Sequence, residues 1–367
     1  MEYIHELVSW PELTWDKGRL SDLLADVRHR QGLLVGKMLG LGFSLRTEAK
    51  LETLTADVVK SSAIEGEKLN SEEVRSSIAR RLGIENAGRI VVGRDVEGIV
   101  EMMLDATQSF REALTTERLF AWHAALFPTG RSAMRKIAVG VWRGADAGAM
   151  QVVSGAVGQE KIHFEAPPAD RLGTEMSAFL NWFETEKKTD AVVKAGVAHF
   201  WFVTIHPFED GNGRIGRAIA DMALARADGT AERFYSMSSQ IEAERKEYYL
   251  QLERAQRSSL DITDWLEWFL GCLARAISRA EETLHGVMQK AKFWEHANRF
   301  DLNDRQRTVL NRVLDGFDGK LTSPKYAKLA KCSDDTALRD MKALIDLGIL
   351  RKGEGKGRKT EYVIVER

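Results

Sequence analysis

Most of the side chains in this sequence that could do chemistry together fall in twelve residues, His206 to Arg217, which read HPFEDGNGRIGR. The run Gly211-Asn212-Gly213 can turn several backbone N–H groups inward as an anion nest, because glycine adopts backbone conformations that other residues resist. The same run opens a helix, whose unpaired N–H groups and dipole favour phosphate. Arg214 and Arg217 lie three apart on that helix, so both guanidiniums can reach one polyphosphate. Asp210 is a hard oxygen ligand suited to a magnesium ion bridging phosphates. His206 titrates near neutrality and can accept a proton from an incoming hydroxyl. Taken singly, a histidine at a helix end is usually a cap or a core residue, and paired arginines usually form surface ion pairs. Their concentration in one turn is what points to a phosphate-bearing ligand.

Helices must present this turn. Residues 191–208 are the most apolar stretch, interrupted by Lys194, His199 and His206. A membrane span needs ~20 apolar residues, so the stretch reads as a buried helix and no membrane partner is expected. Helix resumes after the turn to about residue 227. Before it, helical patterns cover 170–186 and two segments within 91–130, with a hairpin of 150–153 and 162–164 around a loose, glycine-containing turn. Residues 1–90 read as helical: Leu20, Leu23, Leu24, Val27, Leu34 and Met38 recur at helical spacing, a second helix covers 47–62, and Asn70 or Ser71 caps a third. Further helices are predicted over 239–256 and 261–298. The last 67 residues predict helices at 304–314, from Ser323 with Pro324 in its first turn, and at 333–347, then strands at 349–352 and 360–365. Three helices and a two-stranded wing is the winged helix-turn-helix order.

Composition sets the frame. A chain of 367 residues with 44% hydrophobic and 29% charged residues is a globular protein of two or three units, and six prolines among many helix formers predict a mainly α fold. Lys plus Arg is 53 and Asp plus Glu is 54, a net charge of −1, which excludes a protein that coats nucleic acid by bulk charge. The positive charge is local: residues 301–367 hold 15 Lys and Arg against 11 Asp and Glu. Two cysteines without a CxxC pattern exclude a disulfide scaffold and a cysteine-based zinc site, and fit the cytoplasm. The N-terminus, MEYIHELVSW, does not read as a signal peptide.

The central segment resembles the signature of the Fic family, HPFx(D/E)GNGRxxR, at all nine fixed positions: His206, Pro207, Phe208, Asp210, Gly211, Asn212, Gly213, Arg214 and Arg217. The resemblance covers most of residues 45–285. It implies a Fic-type helical bundle with a β-hairpin flap, followed by the winged helix-turn-helix. Its expected parts are an N-terminal helical region (1–90), a catalytic core (91–299) and the C-terminal module (300–367). The implied activity is transfer of AMP from ATP to a Ser, Thr or Tyr hydroxyl of a target protein or of the chain itself. His206 would be the general base and Asp210 would hold Mg²⁺. Gly211, Asn212 and Gly213 would cradle the α and β phosphates, and Arg214 and Arg217 would bind the outer ones. The hairpin at 150–164 matches the flap that pins a target segment by strand addition, or is an ordinary surface hairpin. Tyr248, Tyr249 and Gln256 sit where relatives line the adenine pocket, although Gln256 replaces an Asn seen in some of them; tyrosines at helical spacing also serve simply as packing.

Ser61, Glu65 and Gly66 match the family's inhibitory motif, (S/T)xxxE(G/N). The resemblance implies that Glu65 pairs with Arg217 and keeps ATP in a non-productive pose, or positions water to remove AMP from a target. The plain alternative is a solvated glutamate. In the C-terminal module, Thr336 and Arg339 are expected to face outward and Ala337, Leu338, Met341 and Leu344 inward. Its basic wing could contact DNA phosphates, making the chain a nucleotide-sensing regulator, or the module could dock a protein or form a homodimer.

Overall fold

A computed structural model describes residues 3–40, 42–84, 90–145, 148–154, 161–314, 319–353 and 360–365. The fold is mainly α-helical. It divides into two compact units, residues 1–282 and 283–367, so the N-terminal 90 residues lie inside the first unit.

The first unit runs α1 (Lys17–Leu39), α2 (Phe43–Ile64), α3 (Ser71–Arg81), α4 (Arg94–Gln108) and α5 (Thr116–Leu126). Two antiparallel hairpins follow, β1 (Arg131–Ser132) with β2 (Arg135–Lys136), and β3 (Gln151–Ser154) with β4 (Lys161–Glu165). Then come α6 (Leu172–Thr185), α7 (Ala191–Ile205), α8 (Asn212–Asp228), α9 (Met237–Ala243), α10 (Arg245–Gln256) and α11 (Thr263–Ala297), the last continuing into the second unit.

Helix α7 is the centre of this unit. The Asp190 carboxylate caps it by accepting from Val192 N and Val193 N. It is apolar on every side, and from Val192 onward all but Lys194 are buried, as a helix surrounded by other helices requires. Glycines let its neighbours approach: a Cβ at Gly196 would come within 2.9 Å of Leu266 and Phe269 on α11, and one at Gly216 on α8 within 2.7 Å of Val203. His199 faces into this core, where Tyr248 bonds it at 2.9 Å. Burial pushes its imidazole down to about 3, so it is a neutral core group.

Four details differ from the sequence reading. Residues 3–16 form no long helix; only Ile4–Glu6 makes a 3-10 turn, and the segment lies against the rest of the unit through His5 on the Glu165 carbonyl and Trp10 on Glu175. The expected helix over 239–256 is two, broken at Glu244, whose carboxylate takes two bonds from Arg275 on α11. Periodicity misses this break because both halves are helical in pattern. The short β1–β2 hairpin was not anticipated. In β3–β4 the register shifts between Val152 and Val153, and residues 155–160 of the expected turn lie outside the described residues.

The second unit holds α12 (Asp304–Leu314), α13 (Ser323–Ala330), α14 (Asp334–Asp346) and the antiparallel pair β5 (Leu350–Lys352) and β6 (Tyr362–Ile364). Val309, Leu310, Tyr326, Ala337, Met341, Leu344 and Tyr362 form its core. Leu338 is not part of it: it is 48% exposed, while Asp340 is buried. The 3.6-residue period sets 337, 341 and 344 on one face together with 340, and Asp340 tolerates burial because Arg305, Asn303 and Tyr326 donate to it. Of the glycine-rich turn expected between Lys352 and Thr360, residues 354–359, with most of the wing's bases, lie outside the described residues.

Candidate active site

Helix α7 ends at His206, whose N–H still bonds the Phe202 carbonyl while its own backbone turns left-handed (φ 52°, ψ 58°). That conformation is uncommon outside glycine and needs support from its surroundings. Buried Arg143 supplies it. Its backbone N–H donates to Pro207 O at 2.9 Å, its Nε to His206 O at 2.9 Å, and an Nη to Pro167 O beyond β4. From α5, His123 stacks on Phe208 (centroids 4.2 Å apart) and takes the Gly140 N–H on Nδ1, leaving Nε2–H for the Asp210 carbonyl at 3.2 Å. Burial pushes this imidazole down to about 4, so the strut stays neutral. Asn212 closes the loop with paired bonds between its amide and the backbone of Phe208, at 2.8 and 2.9 Å.

The imidazole of His206 bonds the Val203 carbonyl through Nδ1 at 3.1 Å. A carbonyl can only accept, so Nδ1 carries the proton and Nε2 keeps a lone pair. Burial above all, with the Arg143 charge adding to it, holds this imidazole below its ordinary 6.5. It is therefore neutral and able to accept a proton at neutral pH.

Gly211 opens α8 at φ +81°, where a Cβ would come within 2.9 Å of the Phe127 ring. The next three amides, of Asn212, Gly213 and Arg214, form the first turn and have no helical carbonyl to donate to. Arg214 and Arg217 flank them, 5% and 2% exposed. Two of their buried donors, Arg214 Nε and Arg217 Nη1, have no acceptor among the described residues. The site thus gathers cationic and amide donors with spare capacity at one helix end, an arrangement suited to an anion with several oxygens.

The end of α2 covers this surface. Arg217 donates to Ser61 Oγ (3.0 Å), to Ser61 O (2.8 Å) and to Glu65 Oε1 (2.8 Å). Glu65 also lies over Gly213, where a Cβ would collide with its carboxylate. Gly66 turns left-handed at φ +87°, ending the helix. Tyr249 is close by, its hydroxyl 3.4 Å from the Ile64 carbonyl. Gln256 is set apart in the core, where its amide donates to Thr204 at 3.2 Å, and Tyr248 is buried on His199.

Asp210 is the residue of this loop that could hold a metal. Its carboxylate accepts from Gly211 N at 2.5 Å and from the Ser132 hydroxyl, and is partly exposed beside the α8 amides. The described residues hold no cluster of three or more metal-ligating side chains. Magnesium commonly takes one or two carboxylates and completes its shell with phosphates and water, so a lone Asp beside the open amides of α8 fits that ion.

The sequence reading missed Arg143, His123, Ser132 and Glu67. The first three come from the loop beyond β2 (Arg143), α5 (His123) and β1 (Ser132), and nothing in their spacing ties them to residue 206. Glu67, whose Oε2 lies 2.7 Å from Arg214 Nη1, stands just past the motif that ends at Gly66.

Residues 3–84 match the family model described as a domain of unknown function (DUF4172), and residues 113–224 match the Fic/DOC family. A probable protein adenylyltransferase of Aquifex aeolicus is 39% identical over 61 residues, 17% of this chain and 19% of that protein. The protein adenylyltransferase Fic of Drosophila mojavensis is 24% identical over 232 residues, 62% of this chain and 41% of that protein. The chain thus spans less than half the length of either relative. In three dimensions it resembles a Fic family protein of Desulfovibrio desulfuricans G20, with a TM-score of 0.57 and 21% identity over 98% of this chain and 99% of that one. At that identity the likeness is one of fold.

Proposed function

Because residues 113–224 make this chain a Fic domain protein, we propose that it transfers AMP from ATP to a hydroxyl side chain of a target protein, held in check by Glu65. One observation carries the reading: two buried arginines, with donors unsatisfied among the described residues, stand at the amide end of α8, which follows the loop where the neutral His206 keeps a lone pair on Nε2. The triphosphate would lie on the amides of Asn212, Gly213 and Arg214, with Arg214 and Arg217 on its outer oxygens. The target's hydroxyl oxygen attacks the α-phosphorus, its proton passes to His206 Nε2, and pyrophosphate leaves. Asp210 would hold a magnesium ion, which supplies charge neutralisation for the phosphates. Positioning and charge neutralisation account for most of the catalysis, since the enzyme forms no covalent bond itself. The β3–β4 hairpin, whose Val153 and Ile162 are exposed, offers an edge on which a target segment could add a strand.

In this reading Glu65 inhibits by occupying the Arg217 guanidinium and standing over Gly213. The test is labelling with ATP. The Glu65→Gly variant should modify itself or a target at least about tenfold faster than the wild type, given that a charge-assisted bond to a buried arginine is removed. Adding His206→Ala should abolish the label. Equal labelling of wild type and Glu65→Gly would remove the inhibitory role, and label persisting without His206 would remove the catalytic one.

A further inference from the structure

We infer that the inhibitory segment acts through two carboxylates, with Glu67 occupying Arg214 as Glu65 occupies Arg217. This rests on the function proposed above and concerns the regulation of the same site. After α2 the chain makes a tight, fully bonded turn. Glu65 N donates to Ser62 O, Gly66 N to Ala63 O, and Glu67 N also to Ser62 O, each at 3.0 Å. The last bond reaches back five residues across a left-handed glycine, the pattern that seals a helix end and reverses the chain over it. That reversal brings Glu67 back over the α8 end to which Glu65 is already bound. Its Oε2 meets Arg214 Nη1 at 2.7 Å, and Arg214 is held from below by the Phe127 ring 5.1 Å from its guanidinium carbon. The neighbouring Asp210 carboxylate, at 3.9 Å, is no substitute for a direct bond.

Both arginines at the start of α8 are therefore capped by anions two residues apart in sequence. A nucleotide must displace both to use both arginines. The two carboxylates differ in weight. Glu65 is less exposed than Glu67 (30% against 47%) and its partner is the more deeply buried arginine. Solvent and salt screen the Glu67 pair more, so its contribution is the smaller and the more dependent on ionic strength.

The experiment compares wild type, Glu65→Gly, Glu67→Gln and the double variant in the full chain. Glu72→Gln on the exposed start of α3 serves as control. ATP affinity is measured by titration calorimetry in the His206→Ala background, and AMP transfer in the unmodified background, each at about 50 mM and about 500 mM salt. Glu67→Gln keeps the side chain's length and removes its charge. It should tighten ATP or speed transfer by about 3- to 10-fold at low salt, with the gain shrinking at high salt, and the double variant should exceed Glu65→Gly alone. Glu67→Ser serves the same purpose should the glutamine variant fold poorly. If Glu65→Gly responds in either assay while both Glu67 variants match the control, the second carboxylate is overturned and the proposed function stands. If no variant binds ATP, both fall together.

Discussion

Arg143 has the most consequential contacts of any side chain outside the signature. It holds the backbone of His206 and Pro207 and the chain beyond β4, and its charge disfavours protonation of the His206 imidazole. In a Glu65→Gly background, transfer should stay flat between pH 7 and 8 and decline only below the ordinary histidine value of 6.5, because burial has lowered the group that must be neutral. Replacing Arg143 by Met removes both the brace and the charge. Transfer should drop by about tenfold or more, and the acid limb should move to higher pH, as a pH–rate profile would read. A limb that stays in place would reduce Arg143 to a structural role. The signature is legible residue by residue because its chemistry depends on short spacings in one turn. Arg143, His123 and Ser132 are not, because they reach the loop across 63, 87 and 78 positions of sequence, where spacing conveys nothing.

At the scale of elements, α2 is held on α8 by more than its last turn. Asp57 on α2 and Asp221 on α8 both face Arg233, all three buried, with the Ser236 hydroxyl bonded to Asp57. Burial and the second carboxylate raise Asp57 from 3.8 to about 7. Its folded value lies above its unfolded one, so the folded chain binds the proton more tightly, and this contribution to stability is lost as pH rises from about 4 to about 7. The unfolding temperature should therefore decline between about pH 4 and pH 7, and Asp57→Asn, which has no proton to lose, should flatten that decline. Arg233→Met leaves two buried carboxylates facing each other and should cost about 3–5 kcal/mol in a denaturant titration. Helices were readable from apolar period and caps, as with Asn70 before α3. The break at Glu244 was not, because a tertiary partner, Arg275, decides it.

At the scale of the molecule, the chain is two compact units with different charge, the first holding the candidate site and the second ending in three helices and a strand pair. The local excess of bases in the second unit makes contact with nucleic-acid phosphates testable against a protein-docking role. The intact chain should retard labelled duplex DNA at about 50 mM salt and release it by about 200 mM, and no retardation even in low salt would direct attention to the exposed Leu338 face as a protein contact. That face was misread from sequence because a buried aspartate with three donors looks like a surface charge until its partners are in place. Every role proposed for the site requires ATP to lie at the start of α8 with its α-phosphorus open to a hydroxyl beside His206. The most direct measurement incubates the Glu65→Gly chain, alone and with cell extract, with ATP labelled at the α- or at the γ-phosphate. Protein should acquire label from the α position only and lose it with His206→Ala; label arriving from the γ position, or none from either, would contradict that placement.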